Sequence, residues 1–333
     1  MTAPRSLQPP TPTSGAAAGV GAVVTQGLVK RFGSTTALDG VSCTIHPGEL
    51  FGFIGPDGAG KTTLFRILTT LLVPDDGQAR VLGEDVVGDL WSLRTRVGYM
   101  SGRFSLYPDL SVEENLRFFA SVFGTTIARE YDRIAPIYAQ LEPFNARRAG
   151  ALSGGMKQKL ALCCALVHRP EILFLDEPTT GVDAVSRREF WDLLGRLKAS
   201  GLTTVVSTPY MDEADRCDRV ALIQRGRLLA IDTPEAIARS LDRPLIAVRS
   251  DDRYRALRTL REFPHMRTVF PFGEALHYTD VRPDAPADQV AREVRNFLEL
   301  HGLTGIRAEA TAPTVEDSFM ARMGAPEGQE ERA

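Results

Sequence analysis

Residues 55–63 read Gly55-Pro56-Asp57-Gly58-Ala59-Gly60-Lys61-Thr62-Thr63. Glycines at this spacing, followed by Lys and Thr, form the pattern of a loop that wraps phosphate groups. Such a loop works only between a strand and a helix, so it constrains the fold on both sides. The apolar run Leu50-Phe51-Gly52-Phe53-Ile54 supplies the strand. Lys61 to Leu72 supplies the helix, with Leu64, Ile67, Leu68, Leu71 and Leu72 on one face. The glycines let backbone N–H groups turn toward phosphate oxygens, and the helix start adds partial positive charge. Lys61 would reach the outer phosphates and Thr62 would hold Mg²⁺. The alternative is an ordinary turn ahead of a core helix.

Two further segments favour the phosphate reading. Ile172-Leu173-Phe174-Leu175-Asp176-Glu177-Pro178 is an apolar strand that ends in two carboxylates. Asp176 suits a metal carboxylate at a strand end. Glu177 suits a base or water-orienting group for hydrolysis. Leu152-Ser153-Gly154-Gly155-Met156-Lys157-Gln158-Lys159-Leu160 is a second glycine turn feeding a helix. It has no use on the same phosphates but makes sense against the nucleotide of a facing subunit.

These three segments, in this order, resemble the ATP-binding cassette ATPases over roughly residues 23–235. The resemblance implies ATP and Mg²⁺ as cofactors, with Thr62 and Asp176 holding the metal and Glu177 catalytic. Gly55 to Thr63 would grip ATP. Ser153, Gly154, Gly155 and Met156 would be the signature loop pressed onto ATP held by a partner cassette. Asp183 would close the interface loop that starts at Thr179. Phe32 stands where the family stacks an aromatic on adenine, although a core aromatic is the other reading.

The sequence departs from that family twice. Pro209, in Val205-Val206-Ser207-Thr208-Pro209-Tyr210-Met211-Asp212-Glu213-Ala214, stands where the family has its γ-phosphate switch His. Gly102, in Tyr99-Met100-Ser101-Gly102-Arg103, stands where a Gln senses Mg²⁺ and the attacking water. Ser101 and Arg103 are candidate substitutes. Losing one preorganised hydrogen-bonding group at a reacting centre costs about 10²–10³ in rate. The chain's own site is therefore expected to be degenerate, binding Mg-ATP and turning it over slowly. The same lack of a His resembles the first cassette of tandem-cassette efflux ATPases.

The expected fold class is α/β: a P-loop NTPase cassette with a mainly parallel sheet, an inserted helical subdomain and a small C-terminal α+β domain. The expected boundaries are a disordered tail over 1–22, a cassette over 23–238 with its helical subdomain at about 88–168, and an accessory domain over 239–333. Ser111-Val112-Glu113-Glu114 reads as a capping box opening a helix. After Thr233-Pro234-Glu235 the elements run β-α-β-β-α-β, a split βαβ order. That order, and the ending Thr314 to Phe319, resemble the C-terminal appendage of drug-export cassettes.

Of the 333 residues, 43% are hydrophobic and 24% charged, and the net charge is −3, which gives no bulk attraction to nucleic acid. No apolar stretch is long enough to cross a bilayer. Cys43, Cys163, Cys164 and Cys217 lack metal-ligand spacing and read as buried thiols. The resemblance then implies an exporter's ATPase subunit, peripheral on the cytoplasmic face of the membrane. Its partners would be a transmembrane permease and a second cassette, identical or different. The aromatics Phe104 and Tyr107, with Leu106, are either a docking surface or simple loop packing. Two alternatives remain: a soluble cassette ATPase, disfavoured by the single cassette and absent heptads, and a non-hydrolysing ATP-binding module that supports a partner.

Overall fold

The computed structural model describes residues 21–102 and 106–323. Arg103, Phe104 and most of the expected tail lie outside them. The tail's last two residues, Gly21 and Ala22, are buried instead, and the Ala22 carbonyl accepts from Leu82 N at 2.8 Å.

The chain opens with β1 (Val23–Phe32), β2 (Thr35–Ile45) and β3 (Leu50–Ile54), followed by α1 (Lys61–Leu68). All five residues of β3 are buried, as an apolar strand covered on both faces must be. α1 stops four residues short of the sequence expectation. Thr70 takes a left-handed φ of 62°, and Leu71 N and Leu72 N turn back onto the Arg66 carbonyl. A β-branched residue resists that conformation. Arg94, distant in sequence, holds it by donating to Thr70 Oγ1 at 2.9 Å and to the Thr70 carbonyl at 3.0 Å.

Then come β4 (Asp76–Val81), β5 (Glu84–Asp85), α2 (Leu90–Arg96) and β6 (Val97–Met100). The helices α3 (Val112–Val122), α4 (Ile127–Tyr138) and α5 (Gly154–Leu166) follow. α3 starts on the expected capping box, with Ser111 and Glu114 bonded reciprocally. β7 (Ile172–Asp176), α6 (Ala184–Ala199), β8 (Thr203–Thr208), β9 (Arg219–Gln224), β10 (Arg227–Asp232) and α7 (Pro234–Arg239) complete the larger part.

Its main sheet has the order β10-β9-β3-β8-β7-β6 and is parallel except for the edge pair β9–β10. An antiparallel sheet, β2-β1-β4-β5, covers one side. Between the sheets runs a file of aromatic rings, Phe51, Phe53, Phe65 and Phe174, with successive centroids 5.2, 5.9 and 5.7 Å apart. A second core on the other side gathers α3 to α6. The strand order sets β8 between β3 and β7. The ends of all three therefore emerge side by side.

The rest is a split βαβ unit with its own core: β11 (Leu245–Arg249), α8 (Arg253–Leu260), β12 (Met266–Phe272), β13 (Ala275–Asp280), α9 (Ala287–Leu300) and β14 (Arg307–Ala310). Its antiparallel strands lie in the order β12-β13-β11-β14. The last helix, α10 (Val315–Met323), returns to the larger part, where Val315 and Phe319 enter the core. Asp317 on that helix faces the other way and meets His277 of β13 at 2.6 Å.

Candidate functional site

The phosphate loop leaves β3 at Ile54 and is wedged between neighbouring backbones. A Cβ on Gly55 would come within 2.0 Å of the Ile223 carbonyl oxygen, and one on Gly60 within 2.5 Å of that of Ala37. Gly60 also has a φ of 107°. Only glycine fits both positions. Gly55 N donates to Thr208 O, Ala59 N to Pro56 O, and the Ala59 carbonyl accepts from Gly226 N. Pro56, Asp57 and Gly58 are exposed, and Thr62 and Thr63 are half-buried. No side chain caps α1, so its first N–H groups stay available to an anion.

Lys61 is only 3% exposed. Its ammonium donates to the carbonyls of Gly55 at 2.7 Å and Pro56 at 3.1 Å, and lies 3.3 Å from Glu177 Oε1. Asp176 is buried at the end of β7, where Oδ1 accepts from Ser207 Oγ at 2.6 Å. Glu177 takes a left-handed φ of 50°. Its N–H donates to both the carbonyl (3.1 Å) and the hydroxyl (3.0 Å) of Ser207. Lys61, Asp176 and Glu177 therefore meet at one corner of the sheet, as the sequence pattern requires.

Ser153 and its neighbours form a separate cluster. Ser153 caps α5, accepting from Met156 N at 3.4 Å. Gly154 packs on the Gly181 carbonyl and Gly155 on Ser186, each too close for a larger residue to enter freely. Asp183 caps α6 through Val185 N and Ser186 N. Those bonds, chiefly with Ser186, hold its carboxyl below the usual range. The packing of Gly154 on Gly181 and of Gly155 on Ser186 brings the signature and interface loops together. Phe32 sits at the β1–β2 turn and is 49% exposed, with Lys30 Nζ 5.7 Å from its ring, so the core reading fails.

Residues 38–180 match the family profile described as ABC transporter. Nod factor export ATP-binding protein I of Ralstonia nicotianae is 36% identical over 327 residues, covering 96% of this chain and 98% of that relative. The chain belongs to the ABC transporter family. The multidrug ABC transporter ATP-binding protein YbhF of Escherichia coli, itself described as probable, is 45% identical over 210 residues, 62% of this chain. That match spans only 36% of YbhF's length. A dimeric ATP-binding cassette solved in a post-hydrolysis state with ADP and Pi superposes with a TM-score of 0.57. It is 26% identical, over 63% of this chain and 98% of that one. The cbiO1 protein of Clostridium perfringens shares the fold at a TM-score of 0.59 and 24% identity, over 67% of this chain and 95% of that one.

Pro209 and Gly102, where the sequence led us to expect departures from the family, both adjoin the residues around Asp176 and Glu177. Pro209 follows directly on β8, beside the Ser207 that holds Asp176 and Glu177. Gly102 packs on the same residues: a Cβ there would fall 2.8 Å from the Asp176 carbonyl oxygen and 3.5 Å from Glu177 Cβ. The main chain of Asp176 occupies space that a side chain at 102 would need.

Sequence reasoning missed several residues of the cassette's site. Besides Ser207, the buried Glu213 accepts from Thr179 Oγ1 at 2.8 Å and Thr208 Oγ1 at 2.5 Å. It ties the start of the interface loop to the end of β8. The available signal was hydroxyls in an otherwise apolar strand, with an Asp-Glu-Ala run after it. Among the loop aromatics, Leu106 packs inward, while Tyr107 and Phe118 are half-exposed and stack edge-on at 4.9 Å. Beside them Leu71, Phe119, Val122 and Phe123 line an apolar groove of about 340 Å³. All four cysteines are buried and free.

Proposed function

We propose that this chain is the ATP-binding subunit of an exporter, with a cassette over residues 23–238 and an accessory unit over 239–333. The reading rests on one observation: Lys61, Asp176 and Glu177 meet at one corner of the sheet, with Gly102 packed on the two carboxylate residues. ATP would lie on the phosphate loop from Gly55 to Thr63, with its adenine against the exposed ring of Phe32. Mg²⁺ fits a hydroxyl and a carboxylate completed by phosphate oxygens, so Thr62 and Asp176 would hold it. That ion supplies charge neutralisation on the transferring phosphoryl group. Lys61 would leave its carbonyl partners for the outer phosphates. Glu177, freed from Lys61, would orient the attacking water and take its proton.

Ser153, Gly154, Gly155 and Met156 would close over the nucleotide of a second cassette, with Asp183 at the seam. A different partner cassette suits the degenerate site better than an identical one. The exposed groove beside Tyr107 and Phe118 suits a helix of a membrane-embedded permease. No helix among the described residues is long and apolar enough to cross a membrane. The export direction is carried over from the named relatives, two of which are export or multidrug proteins, and a peripheral position at the membrane's inner face follows from docking on a membrane-embedded permease.

The test is calorimetry and turnover on the purified full chain. ATP binding with slow hydrolysis is expected. Brisk turnover by the lone chain overturns the degenerate site, and absence of ATP affinity overturns the whole reading. A non-hydrolysing role has one observation in its favour, the backbone of Gly102 pressed on Asp176. Glu177→Gln in the assembled transporter decides it: unchanged turnover means this site does not hydrolyse.

A further inference from the structure

We propose that Ser207 is the positioning residue for the metal-facing carboxylate and for Glu177; the inference rests on the nucleotide-site reading above. Ser207 lies on β8, is fully buried, and sits in register between Phe53 of β3 and Asp176 of β7. Apolar neighbours dominate these strands, so a hydroxyl here must find polar partners. It finds two, on consecutive residues. Ser207 Oγ donates to Asp176 Oδ1 at 2.6 Å and accepts from Glu177 N at 3.0 Å.

Each bond has its own consequence. The bond to Asp176 engages Oδ1 and fixes the carboxylate's rotation, leaving Oδ2 outside that bond. A carboxylate held through one oxygen presents the other in a set direction, as partners behind a metal ligand do. The bond from Glu177 N falls at a residue with φ 50°, a conformation that side-chain-bearing residues adopt only under constraint. Two acceptors from one residue, the hydroxyl and the carbonyl of Ser207, hold that N–H. The turn they fix sends the Glu177 carboxylate back over the phosphate loop to Lys61, 3.3 Å away. One hydroxyl thereby sets the direction of both acids. Alanine removes it while leaving the strand pairing and the Ser207 carbonyl in place.

The experiment uses the full chain, a fluorescent ATP analogue and a Mg²⁺ titration, with a matched series in EDTA. Ser207→Ala and Ser207→Cys both delete the strong donor at nearly constant volume, and Ser207→Thr keeps it. Partners behind a metal ligand are typically worth about 10–100-fold in metal affinity. Ala and Cys should therefore raise the half-saturating Mg²⁺ concentration about tenfold or more. Metal-free ATP affinity should stay within about twofold, and Thr should restore the parent's Mg²⁺ dependence. A merely space-filling serine would not move the metal requirement alone. The proposal is overturned if Ala and Cys keep the parent's Mg²⁺ dependence, or if they lose affinity equally with and without metal. A parent chain that binds no ATP sinks the nucleotide-site reading itself, a result separate from either of these.

Discussion

The phosphate loop and the signature loop are the same device in two settings. Each is a glycine turn feeding a helix, α1 in one case and α5 in the other. The first is wedged so tightly that Gly55 and Gly60 touch neighbouring carbonyls, and its helix has no side-chain cap. The second is capped by its own Ser153; its first glycine, Gly154, has more room, with a Cβ 3.3 Å from the Gly181 carbonyl, while Gly155 presses on a side chain, that of Ser186. A helix start left uncapped beside a buried lysine awaits an anion of its own. A capped start on an exposed serine is complete within the chain and is free to meet something outside it. Sequence motif alone does not separate these cases; the surroundings do.

The largest expected effects fall on the first loop. Lys61→Ala should weaken ATP binding about 10²-fold, the worth of a charged hydrogen bond in a buried site. Gly60→Ala should cost about 1–3 kcal/mol from its φ of 107° alone. The 2.5 Å approach to Ala37 O adds to that, and ATP affinity should fall with stability. Gly154→Ala is the matched control: melting and titration should show ATP affinity unchanged. Equal losses at Gly60 and Gly154 would break the contrast between the loops.

Next in size are Pro209 and Gly102, beside the carboxylates, and they should not behave alike. Pro209→His supplies an imidazole directly after β8, and steady-state turnover should rise about tenfold, part of the usual worth of such a group. Gly102→Gln should give no gain, because its Cβ would fall 2.8 Å from the backbone oxygen of Asp176. The loop would have to withdraw before a glutamine could act. A gain from Gly102→Gln alone would show that the loop moves off the carboxylates easily.

What was legible in the sequence follows the range of the interactions involved. β3 has the expected bounds, and α3 starts on its capping box, because apolar runs and caps are local signals. The split βαβ order was readable because each element carries its own periodicity. β10 was missed because its hairpin turns on Arg225 and Gly226, both at positive φ, and arginine is not a usual residue for such a turn. α1 ends early through Arg94, whose grip on Thr70 spans 24 positions. Ser207 and Glu213 stayed invisible for the same reason. Their meaning lies in partners on other strands and loops: hydroxyls in a buried strand signal that partners must exist, but read in line they do not say which.

The smallest predicted effect is the most discriminating. Ser153→Ala removes a helix cap, which costs about 0.5–2 kcal/mol in general. The 3.4 Å bond to Met156 N is at the long limit for a hydrogen bond, so the loss should sit at the low end of that range. Thermal melting should move by only a few degrees, and ATP titration of the isolated chain should match the parent. The loss should emerge in the assembled transporter, where Ser153 would face the partner's nucleotide, as a fall in turnover without a change in this chain's own affinity. If Ser153→Ala instead weakened ATP binding by the isolated chain, the two loops would share one ligand within a single molecule. The capped start of α5 would then have to be read as part of the same pocket as α1.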